Sequence, residues 1–145
     1  MDPLLGELYA EIAGMEAAPL HTTLFSSVDR GKVYRPGTVL HDEDYWIRMT
    51  RHSVYLQDAT ESAFDAGHTQ IVEISPNPIA LMGLMSTAFA AGKADAQLLY
   101  SLKRKVDPTE SLLDLLSKLY ASGAPVEYTK VFGSGALVDL SLIHI

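Results

Sequence analysis

The chain has 145 residues, 48% of them hydrophobic and 20% charged, which suits one domain of roughly 100 to 200 residues. Eighteen acidic against eleven basic side chains leave a formal charge of −7, the wrong sign for gripping a phosphate backbone by counterion release, so no nucleic acid is expected as a partner. There is no cysteine, which excludes a disulfide framework, a thiolate nucleophile and a Cys-based zinc site and is compatible with a reducing cytoplasm.

The opening residues, MDPLLGELYAEIAG, carry acids and lack a basic leader, so they do not read as a signal peptide. Leu4, Leu5, Leu8 and Ile12 fall at helical spacing and predict an amphipathic helix over 3–13, with Asp2 as N-cap and Pro3 in the first turn. The stretch LHTTLFSSV, 20–28, alternates and is rich in Thr, Phe and Val, which predicts a strand; DRGKVYRPGTVLHDED after it reads as a polar loop. Two helices are expected over 42–49 and 53–66, the second capped by Ser53 and stopped by Gly67 in the C′ position.

A strand over 69–74, a helix over 78–91, a strand over 96–102 and a helix over 108–121 follow, the last started by Asp107, Pro108 and Glu110. The run 78–91 is the longest apolar stretch, at about 14 residues, short of the ~20 needed to span a bilayer. It is apolar nearly all round, which a helix tolerates only when other layers cover it. Strands separated by helices imply an α/β fold with parallel strands, and three strands with one such helix look like part of a sheet. No internal repeat or low-complexity segment interrupts the chain, and a cytoplasmic protein with no membrane span is expected.

Candidate chemistry is sparse. His21, His41, His52, His68 and His144 are dispersed, with no HExxH frame and no pair at i, i+4, so no metal site is expected. Asp42, Glu43 and Asp44 in LHDEDYW offer three carboxylates for Mg²⁺ or acid-base work, but such a cluster reads better as the anionic first turn of a helix. Ser75 in ISPNP stands at a strand-to-helix turn, where a nucleophile elbow would place its serine. An elbow needs small neighbours, whereas positions 76 and 78 are prolines and Pro76 removes the N–H that would serve an oxyanion. Glu73 and Asn77 read as a strand carboxylate answered by a partner elsewhere in the fold and a turn amide bonding its own backbone. GSGA at 133–136 lacks the strand and the Lys-Ser/Thr of a phosphate loop. SLKRKV at 101–106, the only basic cluster, reads as a solvated strand exit, with a patch for an acidic carrier protein as its functional alternative.

Three segments carry a resemblance. DYWIRMTRHSVYLQDA at 44–59 resembles the Tyr-Trp then Arg-x-Pro/Ser-Val-x-Phe segment of acyltransferase domains from type I polyketide synthases, and DAGHTQIVEISPNPIALM resembles their Gly-His then Val-Glu-x-Ser/Ala-Pro-His/Asn-Pro segment. SLKRKVDPTESLLDLLSKLYASGAPVEYTKVFGSGALVDL resembles the Leu-Arg-Arg exit and the linker that follows the acyltransferase. Among such domains, RHSVY, GHT and PNPIALM look closest to the synthase that condenses mycolic acids.

The resemblance implies a C-terminal piece of an acyltransferase domain over 1–102 and a helical linker over 103–145, with a tail at 141–145 that departs from the family. The implied fold is a partial three-layer α/β/α, hydrolase-like core with parallel strands. The family moves a malonyl or longer carboxyacyl group from coenzyme A to the phosphopantetheine of an acyl carrier protein through an acyl-serine. Its serine lies in Gly-His-Ser-x-Gly, its base in a later His-Ser motif, and a buried arginine holds the substrate carboxylate. No residue here matches any of the three, so the chain is expected to bind no cofactor and to lie downstream of the last catalytic side chain. Its expected partners are the remainder of the domain, the ketosynthase and the carrier protein. The one position implied to touch the chemistry is Met49, whose main-chain carbonyl would orient the base histidine. Ser53 and Asn77 stand where many relatives have Pro and His. Two rival readings are a non-catalytic module binding a carrier or partner protein through SLKRK, and a small hydrolase using Ser75.

Overall fold

Helix caps and glycine stops set most element boundaries in the computed structural model, which describes residues 2–133. Helix α1 spans Asp2–Ile12, and strands β1 (Leu24–Phe25) and β2 (Val33–Tyr34) follow. Helix α2 is Glu43–Arg51 and α3 is Leu56–Asp65; then come β3 (Gln70–Glu73), α4 (Leu81–Ala90), β4 (Gln97–Tyr100), α5 (Pro108–Ala121) and a short α6 (Tyr128–Phe132).

The caps follow helix-end chemistry. Asp42 Oδ1 accepts from the Tyr45 N–H at 2.8 Å, and Asp107 Oδ1 accepts from Thr109 and Glu110 N–H at 2.9 and 3.1 Å, each quenching orphan donors of a first turn. Gly67 ends α3 in the left-handed region, with φ +91°; its N–H donates to Phe64 O and that of His68 to Ala63 O. Ser53 does not cap α3. The helix starts three residues later without a side-chain cap, because the Tyr55 N–H is drawn to Ser27 O at 2.7 Å and ties the entry of α3 to the segment after β1.

The expected strand over 20–28 is reduced to β1, and its partner comes from the segment that reads as a loop. β1 and β2 pair antiparallel, Leu24 with Tyr34 and Phe25 with Val33. The chain reverses through Asp29 to Lys32, where Gly31 takes φ +66° and the Lys32 N–H reaches Asp29 O. Only β3 and β4 are parallel, in register Gln70 to Gln97 through Glu73 to Tyr100, joined by the α4 crossover. The described residues therefore form a mixed α/β segment with one small antiparallel and one small parallel sheet, so the parallel strands expected of a partial three-layer core are met by β3 and β4 and not by β1 and β2. GSGA beyond Gly133, the tail at 141–145 and His144 lie outside the described residues.

Phe64, Ala59, Leu84, Ala88 and Leu115 are buried at the centre. Helix α5 is fastened under β4 by the Ser111 hydroxyl, which donates to Ser101 O at 2.9 Å. The expectation for α4 is met in part: Leu84, Thr87 and Ala88 are covered, while Ile79, Met82, Met85 and Phe89 are 52–82% exposed. Among the described residues no helix is long and apolar enough to cross a membrane. Phe64, 3% exposed, is the most deeply buried apolar side chain of the described core, so Phe64→Ala should cost roughly 3 kcal/mol; urea unfolding of the two chains checks this.

Candidate functional site

The turn from Glu73 to Ala80 joins β3 to α4, and its polar groups answer one another. Ser75 N–H donates to Ser101 Oγ at 3.1 Å, and that hydroxyl lies 3.2 Å from Ser75 O, so the turn is stitched to the end of β4. Ser75 Oγ lies 2.7 Å from the Asn77 carbonyl and 3.0 Å from Glu73 Oε1. Glu73 Oε1 also accepts from Ile79 N–H at 2.9 Å, and Ala80 N–H lies 3.2 Å from both carboxylate oxygens. Asn77 Oδ1 accepts from Arg104 N–H at 3.1 Å and joins the turn to the exit from β4. The prolines at 76 and 78 bring no N–H that would need an acceptor.

A carboxylate set on the amides at the start of α4 occupies the positive end of the helix dipole. Burial pushes the Glu73 carboxyl up, but the N–H donors of Ile79, Ala80 and Leu81 and the Ser75 hydroxyl outweigh it and hold the group below its ordinary range. Both are structural, but not with the expected partners: Glu73 is answered by its own turn, and the Asn77 side chain, expected to bond its own backbone, reaches the Arg104 N–H instead. Ser75 has a carbonyl and a carboxylate for neighbours, no histidine hydrogen-bonds it among the described residues, and Pro76 supplies no oxyanion donor.

The other candidates are equally structural. Asp42 caps α2, Asp44 lies in its first turn, and Glu43 Oε1 accepts from the Gly14 N–H, so Asp42 and Glu43 serve separate backbone donors. His41 packs edge-on to Tyr45 with ring centroids 4.8 Å apart, His68 meets Phe25 edge-on at 5.4 Å, His52 ends α2 and His21 is exposed. Among the described residues no three His, Asp or Glu side chains gather as metal ligands. Lys103, Arg104 and Lys105 are exposed in the turn between β4 and α5, as a solvated exit requires. Met49 lies in the last turn of α2, among the carbonyls that a helix leaves without an internal donor.

One cluster was not foreseen. Asp29 Oδ2 accepts from the Tyr34 hydroxyl at 3.0 Å and faces Arg48 Nη2 at 3.4 Å, and the Arg48 guanidinium lies over the Tyr45 ring at 5.9 Å. Burial first, then the anionic Asp29, pushes both tyrosine hydroxyls up. The cluster welds α2 to the β1–β2 hairpin. Its signal in the sequence is slight, because Asp29 and Tyr34 belong to a segment whose glycines and proline mark a loop.

A hollow of about 370 Å³ lies between α4 and β4, lined by residues such as Leu81, Met85, Phe89 and Leu98, and no titratable side chain lines it. A turn that satisfies itself and an apolar hollow without convergent polar groups make a framework, a part of an α/β domain that carries no assembled reaction centre among its described residues.

Solved acyltransferase domains of polyketide synthases have this framework. The crystal structure of the acyltransferase domain from module 8 of the salinomycin polyketide synthase matches with a TM-score of 0.76 and 29% identity, over 86% of this chain and 29% of that one. The domain from the second module of the same synthase shares the fold, with a TM-score of 0.70 at 20% identity over 92% of this chain and 30% of that one. In sequence, erythronolide synthase EryA3 of Saccharopolyspora erythraea is 29% identical over 142 residues, 97% of this chain and 4% of the synthase. A mycocerosic acid synthase-like polyketide synthase of Mycolicibacterium smegmatis is 26% identical over 143 residues, 98% of this chain and 6% of that protein. No protein-family model matches.

The chain is thus similar to a segment of polyketide synthase acyltransferase domains; it spans under a third of the solved domains and a few per cent of the curated relatives. These relatives are modular synthases and makers of other mycobacterial acids, and they do not single out a mycolic-acid synthase.

Glu73 gives the turn a pH signature. Its folded carboxyl titrates below the ordinary carboxylate value of about 4.3, so it stabilises the fold above that pH and loses the contribution as pH falls through the lowered value. Glu73→Gln should lower stability at pH 7 by roughly 2 kcal/mol and should also flatten the decline in stability between about pH 5 and 3; urea midpoints across that range are the measurement.

Proposed function

We propose that this chain is a supporting part of a polyketide synthase acyltransferase, an activity that moves a malonyl-type extender group from coenzyme A to the phosphopantetheine of an acyl carrier protein through an acyl-serine. The observation that carries the proposal is the match to the module 8 acyltransferase domain, which spans 86% of this chain at a TM-score of 0.76. The site is consistent with it. The 145 residues contain no Gly-His-Ser-x-Gly, and Ser75 has neither base nor oxyanion donor. Serine activation, acyl-CoA binding and the carrier's phosphopantetheine belong, on this reading, to the rest of the domain.

The chain then has three partners: the remainder of the acyltransferase domain, the ketosynthase and the carrier protein. Residues 1–102 complete the acyltransferase and 103–145 form the linker. The carbonyl of Met49, in the last turn of α2, is offered as the acceptor that orients the base histidine. A second reading concerns the parent synthase: the resemblance of RHSVY, GHT and PNPIALM, within which the Asn77 side chain holds the β4 exit, favours a mycolic-type synthase. The rival, a carrier-binding module without a role in catalysis, rests on the exposed Lys103, Arg104 and Lys105.

Two measurements test the proposal. Substituted for the matching segment of the module 8 domain, the chain should support formation of an acyl-enzyme on that domain's serine; a folded chimera with no adduct from malonyl-CoA or a long carboxyacyl-CoA would sink the assignment. Alone, it should gain no mass from either thioester or from a fluorophosphonate, and an adduct on Ser75 would establish the hydrolase reading instead.

A further inference from the structure

The end of α2 is held on both sides by one short segment of the hairpin, and a buried hydroxyl sets that segment. Ser26 is 0% exposed; its Oγ accepts from the N–H groups of Val28 and Asp29 at 3.2 and 2.8 Å, and its own N–H donates to Lys32 O. A serine hydroxyl that takes the amides two and three residues on closes a local turn, so Ser27 O and the Asp29 side chain have fixed directions. Asp29 Oδ2 accepts from the Tyr34 hydroxyl and faces Arg48 Nη2 at 3.4 Å. Ser27 O accepts from the Tyr55 N–H at 2.7 Å. Residues 49–54 run between those two anchors.

The anchored stretch carries unused acceptors. The chain leaves α2 extended at His52, with φ −92° and ψ 170°, and the His52 N–H donates to Arg48 O at 2.9 Å. The amides that follow are carried off the helix, and no backbone N–H among the described residues reaches the carbonyls of Met49 and Thr50. Those carbonyls belong to the negative end of the helix dipole. Arg48 ties this last turn to the hairpin, and both partners of its ion pair are only partly exposed, so salt screens the pair less than one on the open surface.

We propose that Asp29, acting through Arg48, is the positioning residue for the Met49 carbonyl, holding it where it meets the base histidine of the acyltransferase domain. The histidine as the carbonyl's partner rests on the proposed function; the brace rests on the bonds of Ser26, Asp29 and Arg48. A carbonyl orients an imidazole only within hydrogen-bond reach, about 2.7 to 3.2 Å, and a displacement of about 1 Å can cost on the order of 10²-fold in rate. Held in place, it keeps a proton on the ring nitrogen that faces it, leaves the other nitrogen free as the base, and favours the protonated ring.

Two experiments test the brace and its role. In the isolated chain, Asp29→Ala should speed hydrogen exchange of the His52 amide by about tenfold, while the Gln97 and Ser101 amides that close the β3–β4 ladder keep their protection and show that the variant is folded. Arg48→Met should do the same, and the double variant should add little to either, as one coupled pair requires. Unchanged His52 exchange, or additive effects, would overturn the brace. In the chimera with the module 8 domain, Asp29→Ala should slow acyl-enzyme formation by about tenfold and leave KM for malonyl-CoA within about twofold. It should also move the acidic limb of the pH–rate profile to lower pH, because a histidine without its carbonyl gives up its proton more readily. Ser111→Ala, which removes the bond from α5 to Ser101, should leave that limb in place. A slower reaction with an unmoved limb would make Asp29 merely structural and overturn the positioning role. If the unsubstituted chimera forms no acyl-enzyme while His52 responds, the brace stands and the acyltransferase reading falls together with the histidine; an active chimera indifferent to Asp29→Ala does the reverse.

Discussion

The Glu73 carboxylate receives the first amides of α4 while its own backbone closes the ladder with β4, so one residue holds a strand, a turn and a helix in fixed relation. The remaining contacts of the region build on that anchor. Ser101 can bond both backbone groups of Ser75 because the turn is already set, and Ser111 fastens α5 to Ser101 in its turn. A half-buried carboxylate loses part of its hydration unless its oxygens find donors, and here four from the turn and helix supply them. The residues that look most like catalytic candidates in ISPNP are thereby used up in holding the fold.

What the framework leaves open is as ordered as what it closes. The uncovered side of α4, with Ile79, Met82 and Phe89, and the outer edge of β3 are apolar surface and backbone that a small isolated domain would cover. On the proposed function both have a physical reason: a layer architecture continued by the rest of an acyltransferase domain exposes helix faces and strand edges where those further layers would pack. The hairpin side of the molecule is finished by contrast, closed by the Asp29, Tyr34 and Arg48 cluster, with α3 drawn in through Tyr55.

Residue pattern alone determined a good deal. Asp42, Asp107 and Gly67 announce their helix ends because capping and left-handed stops depend on neighbours within four residues. The β3–α4–β4 unit is legible in the change from β-branched residues to a helical run and back, and the prolines at 76 and 78 remove an elbow nucleophile on covalent grounds alone. Only the tertiary structure decided the rest. It made 33–34 a strand, because a hairpin partner across Gly31 outweighs a loop-like composition, and it moved the start of α3 from Ser53 because a long-range bond to Ser27 outweighs a local cap. It also determined which side of α4 is covered and which edge of β3 is open, since both depend on contacts between residues far apart in the chain, and an apolar run that could face either way carries no local sign of its partners.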